Sequence, residues 1–252
     1  MKKHWLKWLD PIISTALLLI IWQVYITQAN VPGFMLPSPL KVLQEIARQL
    51  TGSSIWYHIA VTSIETLSGF LLAVLLGIAS GYAIYKSENL RITVMPFLIF
   101  FQVAPKIALV PIFIIWFGLG FFSKVIVVFS MVYFPIVLGM LDGLQAIPKD
   151  MRDFMKILGA DRKQLFRSLE IPYALPALFA AFKIGIVQAL IGATVAEWMS
   201  GQSGLGYLQT FASSTFNTPL LMAGIFFTIA LGLLFYEVIQ LLERRLLSWK
   251  EE

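Results

Sequence analysis

The chain alternates long apolar runs with short polar connections, and this pattern predicts an all-α membrane protein. Six runs reach the roughly 20 residues that a helix needs to cross a bilayer. They extend over Pro11 to Ala29, Tyr57 to Tyr85, Ile92 to Leu119, Phe122 to Leu141, Tyr173 to Met199 and Leu220 to Leu242. We therefore expect a single transmembrane domain over residues 1–252, with about six spans.

Proline and glycine positions refine this prediction. The third run contains Pro96, Pro105 and Pro111, which predict kinks or an unwound stretch because proline cannot donate a helical hydrogen bond. Apolar residues recur at helical spacing after Pro39 and predict a short surface helix between the first two runs. The small-residue pairs Gly77-x-x-x-Gly81 and Gly139-x-x-x-Gly143 are typical of membrane helices that approach closely.

The positions of lysine and arginine predict the orientation. With a cytoplasmic N-terminus, 14 of the 19 basic residues fall in cytoplasmic segments and three in external ones. Such a split indicates that both termini are cytoplasmic. It also explains the net charge of +5 by topology rather than by nucleic-acid binding. Lys2, Lys3 and Lys7 precede a run that is too long for a signal-peptide core and lacks an Ala-x-Ala site, so we expect an uncleaved anchor.

The composition agrees with a protein that lies in lipid. Apolar residues make up 58% and charged residues 13%, and the mean hydropathy is +0.80, whereas soluble domains have roughly 45–50% and roughly 25%. The chain has no cysteine, which excludes disulfides, thiolate metal ligands and cysteine nucleophiles. With His4 and His58 as its two histidines, it offers no histidine zinc site.

Two alternatives to a transport subunit that is powered by a partner can be tested on the sequence. Gly201-Gln202-Ser203-Gly204 resembles the Gly-x-Ser-Gly string of intramembrane serine proteases, but no histidine follows in a later helix to act as base. An ion-coupled carrier should show inverted repeats and acidic residues at mid-membrane, and neither is evident. No Gly-Lys pair occurs, so the chain lacks a phosphate loop for ATP. Solute transport powered by a partner is therefore favoured.

The segment from Asp142 to Pro172 is long, charged and internally patterned. Pro148 can begin a helix whose apolar face comprises Met151, Phe154, Met155 and Leu158, and Gly159 can end it with a positive φ. Asp161 and Gln164 then fit a capping box for a second short helix, with Pro172 before the fifth span. Such a hairpin either lies in the lipid headgroups or inserts an apolar helix face into a groove of a cytoplasmic partner.

The same segment resembles the cytoplasmic loop of ABC importer permease subunits, in which Glu-Ala-Ala precedes a glycine and Ile-x-Leu-Pro closes the motif. Asp153-Phe154-Met155 occupies the Glu-Ala-Ala positions, so the acid is kept and the alanines are not; Gly159 matches the glycine, and Leu169-Glu170-Ile171-Pro172 matches the closing element. Other segments are similar to the branch that handles sulfonates, taurine, nitrate and thiamine-precursor pyrimidines. These are Leu36-Pro37-Ser38-Pro39, Ala104 to Pro111, Trp116 to Gly120, Ala196-Glu197-Trp198 and Gly204 to Leu208.

The resemblance implies a type I importer in the bacterial cytoplasmic (inner) membrane. Two permease subunits, expected to be a homodimer, would enclose the path, two ATPase subunits would bind ATP and Mg²⁺, and an extracytoplasmic binding protein would deliver the solute. No cofactor is expected on this chain. A thiamine-precursor pyrimidine is the first expected substrate, followed by a sulfonate, taurine or nitrate. The expected ATPase-coupling residues are Met151, Asp153, Phe154, Met155, Leu158, Gly159, Ala160, Leu169 and Pro172.

Charged residues within membrane runs are costly and suggest function. Glu65, Lys106, Lys183 and Glu197 are such residues. Lys183 and Glu197 lie on one helix about 21 Å apart along its axis, too far to pair directly. We list Lys106, Trp116, Lys183 and Glu197 as candidates for the translocation path or its gate. For Lys183 an interhelical contact is an equal alternative, and for Glu197 helix packing or an outer gate is favoured over substrate binding.

Overall fold

A computed structural model describes residues 6–247, with side chains from residue 13 onward, and in this range the chain forms helices joined by short turns, without a β-strand. Four residues that entered the sequence analysis lie outside the described range: Lys2, Lys3, His4 and Lys250. The side chain of Lys7 is also not described. The helices are α1 (Leu6–Gln28), α2 (Pro39–Thr51), α3 (Ser54–Lys86), α4 (Glu88–Val103), α5 (Val110–Phe117), α6 (Phe121–Gln145), α7 (Lys149–Ile157), α8 (Arg162–Leu165), α9 (Ile171–Ser200), α10 (Leu205–Ser214) and α11 (Thr218–Leu246).

Four of the described helices are individually long and apolar enough to cross a membrane. They are α3, α6, α11 and the continuous helix from Arg162 to Ser200 that contains α8 and α9. The bent pair of α4 and the segment from Lys106 to Phe117 meets the same criteria jointly, as a fifth span. The apolar part of α1, from Ile13 to Gln28, is shorter. The polytopic all-α fold is thus confirmed, while a sixth span through α1 stays a prediction.

The proline-rich third run is broken as predicted. Helix α4 ends at Val103, a 3-10 turn covers Lys106–Leu109, and α5 follows with Pro111 in its first turn. The two halves are bent by 86°. Pro105 stands between them, where its missing amide hydrogen and its restriction of the preceding residue disfavour a continuous helix. The break leaves a bent, irregular stretch of backbone within the apolar region.

The centre of the molecule is a close stack of α3, α6 and α9. A Cβ on Gly77 would lie 2.9 Å from the Cβ of Ile136, and a Cβ on Gly143 would lie 2.7 Å from the Cα of Ala174. Both distances are too short for ordinary packing, so these positions require glycine. The predicted close approach of glycine-containing helices is therefore confirmed on both sides of α6.

A second cluster joins α2, α10 and α11. Val42 and Ile46 of α2 pack with Leu205 of α10 and Leu220 of α11. Helix α2 was predicted from the apolar spacing after Pro39, and the Ser38 side chain caps it by accepting a hydrogen bond from the backbone amide of Lys41. Helix α10 was not predicted, because the sequence after Gly204 was interpreted as an external loop.

Candidate coupling surface and translocation path

Helix α7 begins after Pro148 and ends in the turn that Gly159 makes possible. Gly159 has a φ of +71°. Its amide donates to the carbonyl of Lys156 at 2.9 Å, and the amide of Ala160 donates to the carbonyl of Met155 at 3.0 Å. This pair of bonds is the Schellman arrangement, which satisfies the last helical carbonyls. The predicted helix and its glycine stop are therefore confirmed.

One residue of the apolar face of α7 packs inside the protein, and the others are exposed. Met155 packs against the central stack, whereas Met151, Phe154 and Leu158 are exposed. Ile157, which the predicted face omitted, is 83% exposed. Its spacing of three residues from Phe154 was the signal for it. We name the four exposed residues Met151, Phe154, Ile157 and Leu158 the α7 knob.

Arg152 fixes the inner side of α7 to the helix bundle. Its Nη2 donates to the carbonyl of Leu144 at 2.8 Å, and its guanidinium lies 5.2 Å from the ring centroid of Tyr85. Asp153, at the acidic position of the resembled motif, pairs with Lys156 one turn on at 3.2 Å. The Arg152 contacts hold α7 against the bundle, and the exposed α7 knob lies on the other side of the helix.

The closing element of the motif is built into the membrane domain. Leu169 lies in the central cluster. Glu170 is buried and accepts hydrogen bonds from Lys86 Nζ at 2.6 Å and from the Tyr82 hydroxyl at 3.0 Å. Glu170 thus ties the start of α9 to the end of α3. Sequence reasoning missed this pair, since its members are 84 positions apart.

The second part of the segment differs from the prediction at one boundary. The capping box is present, with the Asp161 amide donating to Gln164 Oε1 at 2.8 Å and the Gln164 amide donating to Asp161 Oδ1 at 2.7 Å. However, the helix does not stop before Pro172. A π turn, Phe166–Glu170, leads directly into α9. The wider turn accommodates a proline in the next turn, because the register shift absorbs the missing donor.

Two of the four path candidates come together in one cavity. Lys106 and Trp116 line a space of about 500 Å³ between the broken span and α6. Lys106 Nζ donates to the carbonyl of Gln102 at 2.9 Å and lies 5.6 Å from the ring centroid of Phe134. The irregular backbone around Pro105 places the Lys106 side chain in the wall of this cavity, with its ammonium group bonded to the backbone.

The other two candidates have structural partners instead. Lys183 pairs with Glu243 at 2.8 Å and joins α9 to α11, which is the interhelical contact that the sequence left open. Glu197 is 1% exposed and accepts hydrogen bonds from Thr62 Oγ1 at 2.7 Å and from the Gly206 amide at 2.6 Å. These partners favour the packing role that was expected for Glu197.

The glycine-rich turn after α9 fits around the Glu197 carboxylate. A Cβ on Gly204 would collide with that carboxylate, and the φ of Gly204 is +104°. The Gly204 amide donates to His58 Nδ1 at 3.1 Å. The string Gly201-Gln202-Ser203-Gly204 therefore forms a turn that packs on a buried acid. A second buried acid of the described chain, Glu65, pairs with Lys124 at 2.6 Å nearby on α3 and α6.

Comparison with solved structures supports the fold. The chain matches an inward-facing conformation of the MetNI methionine ABC transporter with a TM-score of 0.63 and 19% sequence identity, over 76% of this chain and 94% of that chain. At this identity the likeness concerns the fold alone.

Comparison with curated sequences is more specific. The formylaminopyrimidine transport permease protein ThiX of Halalkalibacterium halodurans is 32% identical over 97% of each chain. The riboflavin transport system permease protein RibX of Chloroflexus aurantiacus is 34% identical over 94% of this chain and 89% of its own. The taurine transport system permease protein TauC of Escherichia coli is 27% identical over 98% and 94%.

A family model described as binding-protein-dependent transport system inner membrane component matches residues 73–248. The match runs from the C-terminal part of α3 to the end of α11 and includes the entire segment that carries the α7 knob. Together with the full-length relatives, it identifies a multi-pass inner-membrane protein that transports rather than catalyses. The chain belongs to the binding-protein-dependent transport system inner membrane components and is a permease subunit of an ABC importer.

Proposed function

We propose that the α7 knob couples this permease to its ATPase by inserting into a groove of that subunit. The observation that carries the proposal is the exposure of Phe154 and Ile157 on a short helix that Arg152 and Gly159 hold in a fixed orientation. A contiguous exposed apolar surface on a defined helix is typical of a protein interface. Met155, Ala160, Leu169 and Pro172 then support the knob from the inside rather than contact the ATPase directly.

The partners follow from the family. Transport by an ABC permease uses ATP on an ATPase subunit, which would also hold the Mg²⁺, and a binding protein supplies the solute. We propose two copies of this chain and two ATPase subunits in each transporter. The α7 knob lies at the end of the bundle where the predicted cytoplasmic basic residues Lys86 and Arg152 meet Glu170. This agreement supports a cytoplasmic position for the knob, with both termini on the same side.

For the substrate, we propose a thiamine-precursor pyrimidine. The support is the name of a relative that is 32% identical over nearly the whole chain. The riboflavin permease at 34% adds a second flat heterocyclic solute to those expected from the sequence. Taurine, sulfonates and nitrate are the alternatives, and the taurine relative is 27% identical.

Reconstitution tests this function. The chain should be purified with its ATPase, placed in vesicles that contain ATP, and supplied outside with its binding protein and a radiolabelled formylaminopyrimidine. We expect uptake only when all three proteins and ATP are present. Uptake by the chain alone under an ion gradient would contradict the proposal and favour an ion-coupled carrier. Uptake of taurine in place of the pyrimidine would leave the coupling proposal standing and replace the substrate.

A further inference from the structure

A pocket at one end of the helix bundle is lined by more cations than carboxylates. It has a volume of about 560 Å³ and lies where α3 and α6 end, beside the start of α4 and beside α7. Six charged side chains line it: Lys86, Arg91, Arg152, Lys156, Glu88 and Glu170. Four cations against two carboxylates leave an excess of two positive charges. Asp153 pairs with Lys156 from outside the lining, and counting it still leaves one positive charge.

Arg152 supplies the charge that no carboxylate balances. The other three cations have carboxylate partners among the described side chains, in the pairs Lys86–Glu170 at 2.6 Å, Arg91–Glu88 at 2.7 Å and Lys156–Asp153 at 3.2 Å. Arg152 has one described hydrogen bond, from Nη2 to the carbonyl of Leu144, and its Nε is buried without an acceptor. A guanidinium group has five N–H donors. The protein therefore leaves most of the hydrogen-bonding capacity of Arg152 unused.

The cations of this pocket are placed to bind rather than to screen one another. The bond to Leu144 and the ring of Tyr85, 5.2 Å away, hold the Arg152 guanidinium in position, so little side-chain entropy is lost when a ligand arrives. The Arg91 and Lys156 side chains are 40% and 72% exposed, which leaves them able to turn toward a ligand. The Glu170 carboxylate is already bound by Lys86 and is not free to repel an anion.

The pocket lies at the depth of the lipid headgroups. Lys86 ends α3, a helix of 33 residues, which is about 50 Å long at 1.5 Å per residue. The hydrocarbon core of a bilayer is about 30 Å thick, so a spanning α3 carries its ends into the headgroup region. The basic residues predict that this end is cytoplasmic. Basic pockets between membrane helices on that face are suited to the headgroups of anionic lipids.

We propose that this pocket binds a phosphate group, held by Arg152 together with Arg91 and Lys156. A phosphate presents oxygens in several directions, which suits cations that come from two different helices, and arginine matches phosphate oxygens with parallel N–H groups. The phosphate belongs either to an anionic lipid headgroup or to a free anion in the cytoplasm, and the depth of the pocket favours the lipid. The bound group would join the start of α4 to α7. The inference uses neither the coupling proposal nor the substrate proposal.

Ligand-induced stabilisation tests the site on the full-length chain in uncharged detergent. The probes are dioctanoyl phosphatidylglycerol, dioctanoyl phosphatidylcholine with the same acyl chains, and sodium phosphate compared with sodium chloride at equal ionic strength. We expect phosphatidylglycerol to raise the unfolding temperature saturably and phosphatidylcholine to leave it nearly unchanged, because a ligand that binds the folded state stabilises it. A response to phosphatidylglycerol alone assigns the lipid, and a response to sodium phosphate alone assigns the free anion.

Variants of the cations locate the binding. Arg152→Gln should raise the half-saturating concentration of the active probe roughly tenfold or more, as expected for the loss of hydrogen bonds from a charged donor. Arg91→Gln, at an exposed side chain, should raise it several-fold. Arg162→Gln removes the same charge from an exposed position of α8 outside the pocket and should bind like the unmodified chain. The half-saturating concentration is the measure, because Arg152 also holds α7 and its loss can lower the unfolding temperature by itself.

Three results would overturn the site. The first is no stabilisation by phosphatidylglycerol or by phosphate, and the second is equal stabilisation by phosphatidylcholine, which would assign the effect to the acyl chains. The third is equal weakening by Arg162→Gln, which would mean diffuse attraction to surface charge. If no probe stabilises the chain while Arg152→Gln and Arg91→Gln lower ATPase recovery, the cations serve an acidic surface of the ATPase instead. The coupling proposal would then stand without the phosphate site.

Discussion

Glu197 shows how an acid within an apolar helix is held without reaching water. Its two carboxylate oxygens accept hydrogen bonds from Thr62 and from the Gly206 amide, and Thr62 in turn accepts one from the Leu205 amide. The carboxyl group of Glu65 interacts with it from α3, beside Lys124. The acid therefore links α3, α9 and the turn before α10 through directed bonds rather than through shape alone.

The residue-scale prediction from this network concerns stability. Glu197→Ala should leave the Gly206 amide buried without an acceptor and cost about 2 kcal/mol or more, which should lower the unfolding temperature in detergent by several degrees. Glu197→Gln keeps an acceptor and should cost less. Glu237→Ala on the exposed face of α11 is the matched control and should leave the temperature unchanged. Equal unfolding temperatures for all three would exclude a packing role for Glu197.

Gly159 allows backbone conformation to be separated from size. A Cβ at this position meets no atom within 4 Å, yet the φ is +71°. Gly159→Val should therefore destabilise the turn by about 1–2 kcal/mol, because a β-branched residue disfavours a positive φ. Gly159→Asn should be tolerated, because asparagine adopts a positive φ more readily. The measurement is ATPase co-purification and uptake with each variant. Equal loss with both would mean that the available space, not the conformation, decides.

At the residue scale, the sequence predicted the features that depend on residues close together in the chain. The capping box at Asp161 and the stop at Gly159 are local, so composition and spacing were sufficient. The Lys86–Glu170 and Lys124–Glu65 pairs are not, because their partners lie on different helices. Lys183 could not be assigned from its own helix for the same reason, since its partner Glu243 is on α11.

At the scale of elements, one side of α7 packs on the helix bundle and the other side is exposed. Met155 and Arg152 contact the bundle, and the α7 knob does not. The apolar periodicity revealed the helix, but it could not divide the face into these two sides. That division depends on where α3 and α6 end, which no local pattern contains.

The knob gives the element-scale prediction. Phe154→Asp would place a charge where the proposed groove removes water, which is costly without a pairing partner, and ATPase recovery should fall by roughly tenfold or more. Ser168→Asp adds the same charge at an exposed position on the outer part of the segment and should leave recovery unchanged. A hairpin that lies in the headgroups predicts the opposite for Phe154→Asp: full ATPase recovery with altered membrane association.

Element boundaries were predicted well where proline or glycine acted locally and less well elsewhere. The broken third span follows from Pro105. The boundary at Pro172 was wrong, since the π turn Phe166–Glu170 allows the helix to pass through it. Helix α10 was missed although Leu205, Leu208 and Ala212 have helical spacing, because a short helix beside a glycine-rich turn gives a weak pattern.

At the scale of the whole molecule, the polar clusters lie at opposite ends of the helix bundle, as the predicted orientation requires. Lys86, Arg152 and Glu170 meet at one end of the bundle, and the Glu197 turn with His58 lies toward the other end of α3. The orientation predicted from the basic residues therefore assigns each cluster to one side of the membrane. The hydrophobic pattern of one chain predicts its membrane spans, but it does not predict how two permease copies pair. Pairing depends on the shape and chemistry of the surface that the folded helices present.

The orientation is the whole-molecule prediction, and the absence of cysteine makes it direct to test. Single cysteines would replace Ser54 and Ser213, which are exposed near the start of α3 and the end of α10, and Asn89, which is exposed just beyond the other end of α3. Ser54 and Asn89 are separated by a helix of 33 residues, about 50 Å long at 1.5 Å per residue, so a spanning α3 places them on opposite sides.

An impermeant thiol reagent applied to intact cells should label Ser54→Cys and Ser213→Cys and leave Asn89→Cys unlabelled until the membrane is opened. Ser248→Cys, near the C-terminus, should behave like Asn89→Cys if both termini are cytoplasmic. Labelling after permeabilisation controls for the intrinsic reactivity of each site. The reverse pattern would invert the molecule and place the α7 knob outside, where no ATPase could reach it. Labelling of both Ser213→Cys and Ser248→Cys in intact cells would show instead that α11 does not cross the membrane.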